Sequence, residues 1–367
     1  MSRPVLLLLM SAAALGAAGL SAVLTAAAVR ICPRIGFTDH PGGHKSHKVP
    51  MPYGGGVAIF IAAWLPVAAA ILLLRWMGPD WGIERFGESI RPYLGGLEQR
   101  SGQALVLLIG AAVLHVLGLI DDVRALGAYP KLIVIAGVGL LVTVWGGLRI
   151  GAMWGDAVSI PLTVAWFIVI VNAFNFLDNM DGLSSGVGWL CLVSLAACGL
   201  MAGQVFVPAL ACIFIGAVLG FWFFNFPPAR IFMGDAGSLV VGYMLATTAV
   251  MTTYFRSGMD APPYALAMPL VILAVPLYDF VSVVGIRLAE GRNPMRGDQR
   301  HFSHRLVDHG LSRRFAVLTI YLATATTGLT ATLLPGADLR RTLTVAFIVL
   351  MVLGIIAILE SPARKTA

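Results

Sequence analysis

Charge is what this chain has least of. Only 12% of its 367 residues are Asp, Glu, Lys or Arg, against about 25% in a soluble globular domain. Its 25 basic and 18 acidic residues are too few to coat a water-soluble body of this size, which excludes an ordinary soluble enzyme. Cysteine is scarce too: Cys32, Cys191, Cys198 and Cys212, with no CxxC pair. They suggest neither a disulfide framework nor a zinc site. No fixed-period repeat, Gly-X-Y pattern or sustained heptad is present, so solenoid, collagen and coiled coil are excluded. Apolar residues dominate at 58%, and the solvent for most of the chain is lipid. The net charge of +7 does not imply nucleic acid, because the basic residues sit in loops between apolar runs. There they set membrane topology.

A membrane-crossing helix needs about 20 mostly apolar residues. About eleven runs qualify: 4–29, 54–77, 103–120, 131–148, 161–176, 187–202, 206–224, 238–255, 265–286, 315–334 and 343–359. The expected fold is all-α, a single polytopic membrane domain over 1–367. The first run is too long for the apolar region of a typical signal peptide, and Arg3 alone is a weak basic flank, so it counts as a helix. Eleven crossings place the chain ends on opposite sides. The loops after odd-numbered helices carry Arg30, Arg34, Lys45, Lys48, Arg124, Lys131, Arg230, Arg287, Arg292, Arg296, Arg300, Arg305, Arg313, Arg314, Arg364 and Lys365, sixteen of the 25 basic residues. The positive-inside rule makes that face cytoplasmic, with the N-terminus outside and the C-terminus inside. Loops near 30–53, 121–131, 175–186, 225–238 and 287–314 then face the cytoplasm. Residues 78–102 read as a polar outer loop, and 147–162 as a small external hairpin.

The acids Asp121, Asp122, Asp178, Asp181, Asp235, Asp279 and Asp298 lie within or beside helix ends, all on the face assigned to the cytoplasm. An acid in an apolar run costs roughly 2.5–3.5 kcal/mol on insertion scales, so each is a functional candidate. Asp121 and Asp122 project about 100° apart on a helix and do not share one ligand. Lys131 stands at a helix start, where the dipole disfavours a cation, and hints at an anionic partner. Asn172, Asn175, Asp178 and Asp181 recur every three residues and would form one polar helix face. Asp235 sits near the start of the eighth helix, where simple capping is the plain alternative. The small residues around it would let a phosphate or metal approach the backbone, and hard oxygen ligands without Cys or His fit Mg²⁺. Arg292, Arg300, His301, His304 and Arg305 suit phosphate oxygens; the alternative is a basic loop that meets anionic lipid. Lys45, His47 and Lys48 pose the same choice.

In order, these motifs resemble one family, the polyprenyl-phosphate N-acetylhexosamine-1-phosphate transferases. The resemblance runs from about residue 30 to 315. It rests on Lys45-Ser-His47 with Pro52 and Gly55-Gly56, Asp121-Asp122, Asn172 to Asn175 through Asp178 and Asp181-Gly182, Phe232-Met-Gly-Asp235-Ala-Gly-Ser238, then Asp298 and His301. The last loop is similar to the branch that uses UDP-N-acetylglucosamine. Two departures stand out: Asn179-Met180 replaces the middle of Asp-Gly-Leu-Asp-Gly, and Ser303 replaces one imidazole of His-x-His-His.

The resemblance implies attack by a polyprenyl (undecaprenyl) phosphate on the sugar-linked phosphorus of a UDP-sugar. UMP leaves, and a lipid-diphosphate sugar begins a cell-envelope polysaccharide. It implies Mg²⁺ on Asp235, with Asp122 as a second candidate ligand and Mn²⁺ able to substitute. Phe232 would stack on uracil, and Asn175 and Asp178 would contact nucleotide or carrier. Asp121 would orient or deprotonate the lipid phosphate. Asp181 and His301 join the catalytic candidates, and Lys45, His47, Lys48, Lys131, Arg300 and His304 the phosphate-binding ones. It further implies a bacterial inner-membrane location with the active site facing the cytoplasm; relatives form homodimers, though no interface signature is visible here. Two rivals come from other classes. An intramembrane aspartyl protease would pair Asp235 with Asp279, and a proton-coupled transporter would place its acids at the membrane midplane.

Overall fold

A computed structural model describes residues 3–39, 50–87, 91–252, 267–293 and 300–361. Among them the helices are α1 Arg3–Ile31, α2 Gly55–Phe86, α3 Arg91–Val123, α4 Ala128–Val144, α5 Asp156–Leu177, α6 Leu183–Met201, α7 Phe206–Asn225 and α8 Asp235–Thr252. Then come α9 Met268–Ile272, α10 Ala274–Ala289, α11 Phe302–Asp308, α12 Arg313–Ala331 and α13 Leu339–Leu359. The described strands are β1 Thr38–Asp39 and β2 Met51–Pro52, an antiparallel pair in which Thr38 faces Pro52. The chain is thus an all-α membrane protein. Among the described residues seven segments are long and apolar enough to cross a membrane: Arg3–Ile35, Gly55–Gly78, Leu94–Val123, α5, α6, α7 and α13.

Each expected apolar run is helical where described, with three corrections. Residues 78–102 are mostly helix rather than loop. α2 turns at Gly78, whose φ of 72° suits a residue without Cβ, and continues to Phe86, while α3 begins at Arg91. Residues 147–162 form no hairpin: a 3₁₀ turn at Ala152–Trp154 leads into α5. The ninth run is divided at Leu273 into α9 and α10.

Helix α8 is the axis of the bundle. Sixteen of its 18 residues are buried, which is why it carries Ser, Thr, Tyr and Gly where a lipid-facing helix would not. Helices α3, α5, α6, α2 and α7 pack around it. α1 and α13 lie outermost, exposing Leu8, Leu15, Leu350 and Ile358 as a surface in contact with lipid tails does. Glycine permits the closest approaches to α8. A Cβ on Gly56 would lie 2.3 Å from the Gly237 nitrogen, and one on Gly118 would lie 2.3 Å from the Ala236 nitrogen. The helices flanking α8 therefore touch its first turn backbone to backbone, which brings the ends of α2, α3 and α8 together.

Candidate active site

Three helix ends meet at the start of α8. Near the C-terminus of α3 are Asp121 and Asp122; near the N-terminus of α4 is Lys131; near the C-terminus of α5 is Asn175. Lys131 Nζ lies 3.0 Å from Asp121 Oδ2 and 2.9 Å from Asp235 Oδ2, bridging two helices that are far apart in sequence. Asp121 Oδ1 also accepts the Leu126 amide at 2.6 Å, which secures the α3–α4 turn. Asn175 Nδ2 donates to Asp235 Oδ1 at 2.9 Å and to Ser238 Oγ at 3.0 Å. Asp235 therefore has one oxygen on a cation and the other on an amide. All three charged side chains are part-exposed: Asp121 13%, Lys131 20% and Asp235 24%, so the cluster is reachable from outside the bundle.

Asp235 does not cap its own helix. Asp122 does so from α3, accepting the Asp235 amide at 2.7 Å and the Ala236 amide at 3.1 Å. Gly234, at φ 69°, makes room, since a Cβ there would lie 2.5 Å from Asp122 Oδ2. Two expectations change. The carboxylate of Asp122 takes the amides that a phosphate would have used at this helix terminus. The small residues of this segment serve helix contact, as Gly56, Gly118 and Gly237 show.

The three-residue spacing of Asn172, Asn175, Asp178 and Asp181 does not make a continuous polar face. Asn172 Nδ2 bonds back to the Ile168 carbonyl of its own helix at 2.7 Å. α5 ends at Leu177, and Asp178 is its C-cap. Asp181 Oδ2 accepts the Ala229 amide at 3.0 Å, which holds the 226–234 segment. Asp178 is half-buried. Burial, then the charges of Asp235, Asp122 and Asp181, push its carboxyl well above the usual carboxylate range. The backbone of Phe232 is fixed on both sides, donating to the Pro52 carbonyl at 3.0 Å and accepting from the Gly55 amide at 3.2 Å. Its ring lies 6.5 Å from that of Tyr53.

A second group lies at the same end. His301 Nδ1 is 2.8 Å from Asp279 Oδ2, and the Phe302 amide donates to Asp279 Oδ1 at 3.1 Å. His301 meets the Phe176 ring edge-on at 5.8 Å, and Arg287 lies over the same ring at 5.1 Å. Ser303 Oγ donates to Asn179 Oδ1 at 2.7 Å, so the two departures from the family pattern bond to each other. His304 is held below the ordinary imidazole range, by burial first and then by His301 and Arg313. Arg300 pairs with Glu290. Arg305 donates to Glu360 Oε2 at 2.9 Å and to the Arg300 carbonyl at 2.9 Å. Lys45, His47, Lys48, Arg296 and Asp298 lie outside the described residues.

The sequence points to no site role for Arg287 or Glu360, and it marks Asp279 as a candidate without giving it a partner in the transfer. Only Asp279 gave a signal, an acid inside an apolar run. It does not pair with Asp235 as a protease would require; its partners are His301 and Phe302. Nor do the described acids of the cluster lie at mid-helix, as a transporter relay would need.

The family model described as glycosyl transferase family 4 matches residues 104–253, the stretch from α3 through α8 that builds this cluster. A Bacillus subtilis (strain 168) protein named "Probable undecaprenyl-phosphate N-acetylglucosaminyl 1-phosphate transferase" is 31% identical over 347 residues, 91% of this chain and 87% of that one. The chain belongs to glycosyl transferase family 4. Within the family it is also similar to a "Decaprenyl-phosphate N-acetylglucosaminephosphotransferase" of Mycolicibacterium smegmatis, at 33% identity over 79% of this chain and 73% of the relative. An "Undecaprenyl-phosphate alpha-N-acetylglucosaminyl 1-phosphate transferase" of Escherichia coli (strain K12) is 26% identical over 81% of this chain and 76% of its own.

The oxygen chemistry of the cluster suits a hard cation. Lys131 places an ammonium between two carboxylates, and the other donors are amide and hydroxyl oxygens. Among the described residues no group of three His, Cys, Asp or Glu is gathered to hold a metal by itself. A cation here would complete its shell with water and substrate phosphates, as Mg²⁺ commonly does.

Proposed function

We propose that this family 4 chain transfers N-acetylglucosamine 1-phosphate from UDP-N-acetylglucosamine to a polyprenyl phosphate. UMP is released, and the reaction runs at the cytoplasmic face of a bacterial inner membrane. The observation that carries the reading is the Asp121–Lys131–Asp235 bridge at the start of α8, inside the segment matched by the family. On this reading the chain crosses eleven times, with the N-terminus outside and the C-terminus inside, and this end lies in the cytoplasm. α9 and α10 together make one crossing, and α11 lies outside the bilayer. The relatives' names supply the sugar and the carrier.

Both substrates are anions, so the reaction needs alignment and charge neutralisation more than covalent help. Lys131 meets phosphate charge as its carboxylate partners turn to other work. Asn175 fixes the orientation of Asp235, the residue that would hold Mg²⁺, with Mn²⁺ able to replace it. Bound there, the metal would neutralise charge on the leaving phosphate. Asp121 orients the lipid phosphate. At pH 7 a phosphate monoester is already largely ionised, so alignment matters more than proton removal. Asp122 works through the α8 backbone, each of its oxygens accepting one amide, and it stays the second candidate ligand for the metal through its remaining lone pairs. Asp181 shapes the segment that presents Phe232 to the uracil ring. Asp178 lies close enough to the acid cluster to feel its charge. Arg300, His301 and His304 meet the diphosphate, and Lys45, His47 and Lys48 would join them from the first cytoplasmic loop.

The test uses purified full-length protein with undecaprenyl phosphate, UDP-N-acetylglucosamine and Mg²⁺. UMP release with formation of a lipid-linked sugar is expected. Absence of both, with a panel of UDP-sugars, overturns the reading.

A further inference from the structure

His301 has two ring nitrogens, and the fold assigns one of them. Nδ1 faces Asp279 Oδ2 at 2.8 Å, and Asp279 Oδ1 takes the Phe302 amide at 3.1 Å. Asp279 is fully buried and His301 is 5% exposed. Both carboxylate oxygens are therefore committed, one to the ring and one to the first turn of α11. Among the described residues no hydrogen bond reaches Nε2. The ring meets Asp279 from α10 and the uncharged Phe176 from α5, whose face carries Arg287; His304 is near enough for its charge to be felt, and Arg300 and Arg305, bonded to each other, stand in the same segment.

We propose that Asp279 is a positioning residue for the transfer: it holds His301 by Nδ1–H so that Nε2–H can be given to a phosphate oxygen of the nucleotide sugar. This rests on the reading that His301 meets the diphosphate. With Nδ1–H directed at a carboxylate, Nε2 donates only when both nitrogens carry hydrogen. The ring then works as an imidazolium between two anions, the carboxylate behind it and the phosphate in front. Such charge-assisted bonds are roughly twice as strong as neutral ones. The same carboxylate fixes the start of α11, so ring orientation and helix position are set by one group.

Asp279→Asn separates charge from shape. The Phe302 amide still requires an oxygen, which keeps the Asn Oδ1 in place. The Asn Nδ2–H₂ then faces Nδ1 and makes it an acceptor. The ring becomes a neutral Nε2–H tautomer: it remains a donor but loses its charge. The expected result is a KM for UDP-N-acetylglucosamine raised about tenfold, with kcat changed less. On an H301Q background, D279N should add nothing further, because both changes act through one ring. Selective ¹⁵N-histidine spectra of the holoenzyme with UDP-N-acetylglucosamine, assigned by loss of a signal in H301Q, should show both His301 nitrogens protonated in the native protein and Nε2 alone in D279N.

Additive losses in the double variant, or an unprotonated Nδ1 in the native complex, overturn the inference. The native spectrum decides the matter even if D279N does not fold. A fully active H301Q would instead overturn the underlying reading that His301 meets phosphate. An impaired H301Q beside a native-like D279N overturns the inference alone.

Discussion

The two ends of the bundle are built from similar helix termini by different rules. At the end away from the acid cluster, polar side chains serve the backbone. Gln103 donates to the Gly146 carbonyl at 2.6 Å, Thr163 accepts the Ile150 amide at 2.9 Å, and Gln204 donates to the Met251 carbonyl at 3.3 Å. Each contact satisfies a main-chain group left over where a helix stops. At the acid end several side chains still serve the backbone, but they also hold one another: Asp121 with Lys131, Lys131 with Asp235, Asp235 with Asn175, Asp279 with His301. Acids outnumber the described cation at the α8 start, and Asp178 sits among them as a carboxyl that the fold disfavours in its charged form. One end closes helices. The other concentrates charge that a closed helix end has no need of, as sites under functional rather than structural constraint do.

The widest separation between the ends should appear on removing the charges at the start of α8. Asp235→Asn and Lys131→Met should each lower kcat about 10²- to 10³-fold, with melting temperature nearly unchanged because the groups are part-exposed. Steady-state UMP release across a Mg²⁺ titration is the measurement. An Asp235→Asn enzyme with full activity and unaltered Mg²⁺ dependence would remove Asp235 from metal binding.

Asp122 should behave differently from its neighbours, because both of its oxygens serve the backbone at the acid end. Asp122→Ala leaves two amides of the buried α8 turn unmet, at roughly 1–3 kcal/mol each. A melting temperature lowered by many degrees is expected, with activity lost alongside. Asp122→Asn, which keeps one acceptor oxygen, should recover part of the stability. If Asp122→Ala kept its melting temperature but lost turnover, Asp122 would belong with the chemistry instead.

Asp178 tests the same contrast from the opposite direction. Its carboxyl is raised in the folded state, so its contribution to stability is complete at low pH and lost as pH rises through the folded value. Asp178→Asn removes the disfavoured charge. It should stabilise the ligand-free protein by about 1 kcal/mol, more at pH 8 than at pH 5, while reducing turnover. Thermal unfolding at the two pH values measures it, and a destabilised variant at pH 8 would contradict the assignment.

The helices were legible because lipid imposes one strong rule, an apolar run long enough to cross, and α1, α5, α7 and α13 obey it plainly. The acids were legible for the converse reason, since charge in such runs is rare. What could not be read was which oxygen meets which hydrogen. Asp121 and Asp122 are neighbours with different work, and only the approach of Gly118 in α3 to the start of α8, and of Gly234 to Asp122, decides that Asp122 is the cap. The three-residue spacing of Asn172 to Asp181 suggested one face, but α5 stops at Leu177 and sends Asp178 and Asp181 elsewhere. Asp279 was seen as an acid but not as a partner of His301, because the contact joins α10 to α11 across a segment with no periodic signal. The polar stretch at 78–102 read as loop because helix extensions beyond the apolar length carry no hydropathy signature.

The smallest effect is expected at the far end, where charge is present but does nothing for the reaction. Arg149 pairs with Asp156 at the start of α5, and the Asp156 side chain is 73% exposed. Exposed pairs contribute at most about 1 kcal/mol and are screened by salt. Asp156 also stands in the first turn of α5, where a negative charge suits the helix dipole by a few tenths of a kcal/mol. Asp156→Asn should therefore lower the melting temperature by about 1 °C or less, with the difference vanishing in high salt. UMP release should stay within about twofold of the native rate. A large loss of turnover there would mean that charge at both ends is tied to the chemistry, and the division between the two ends would not hold.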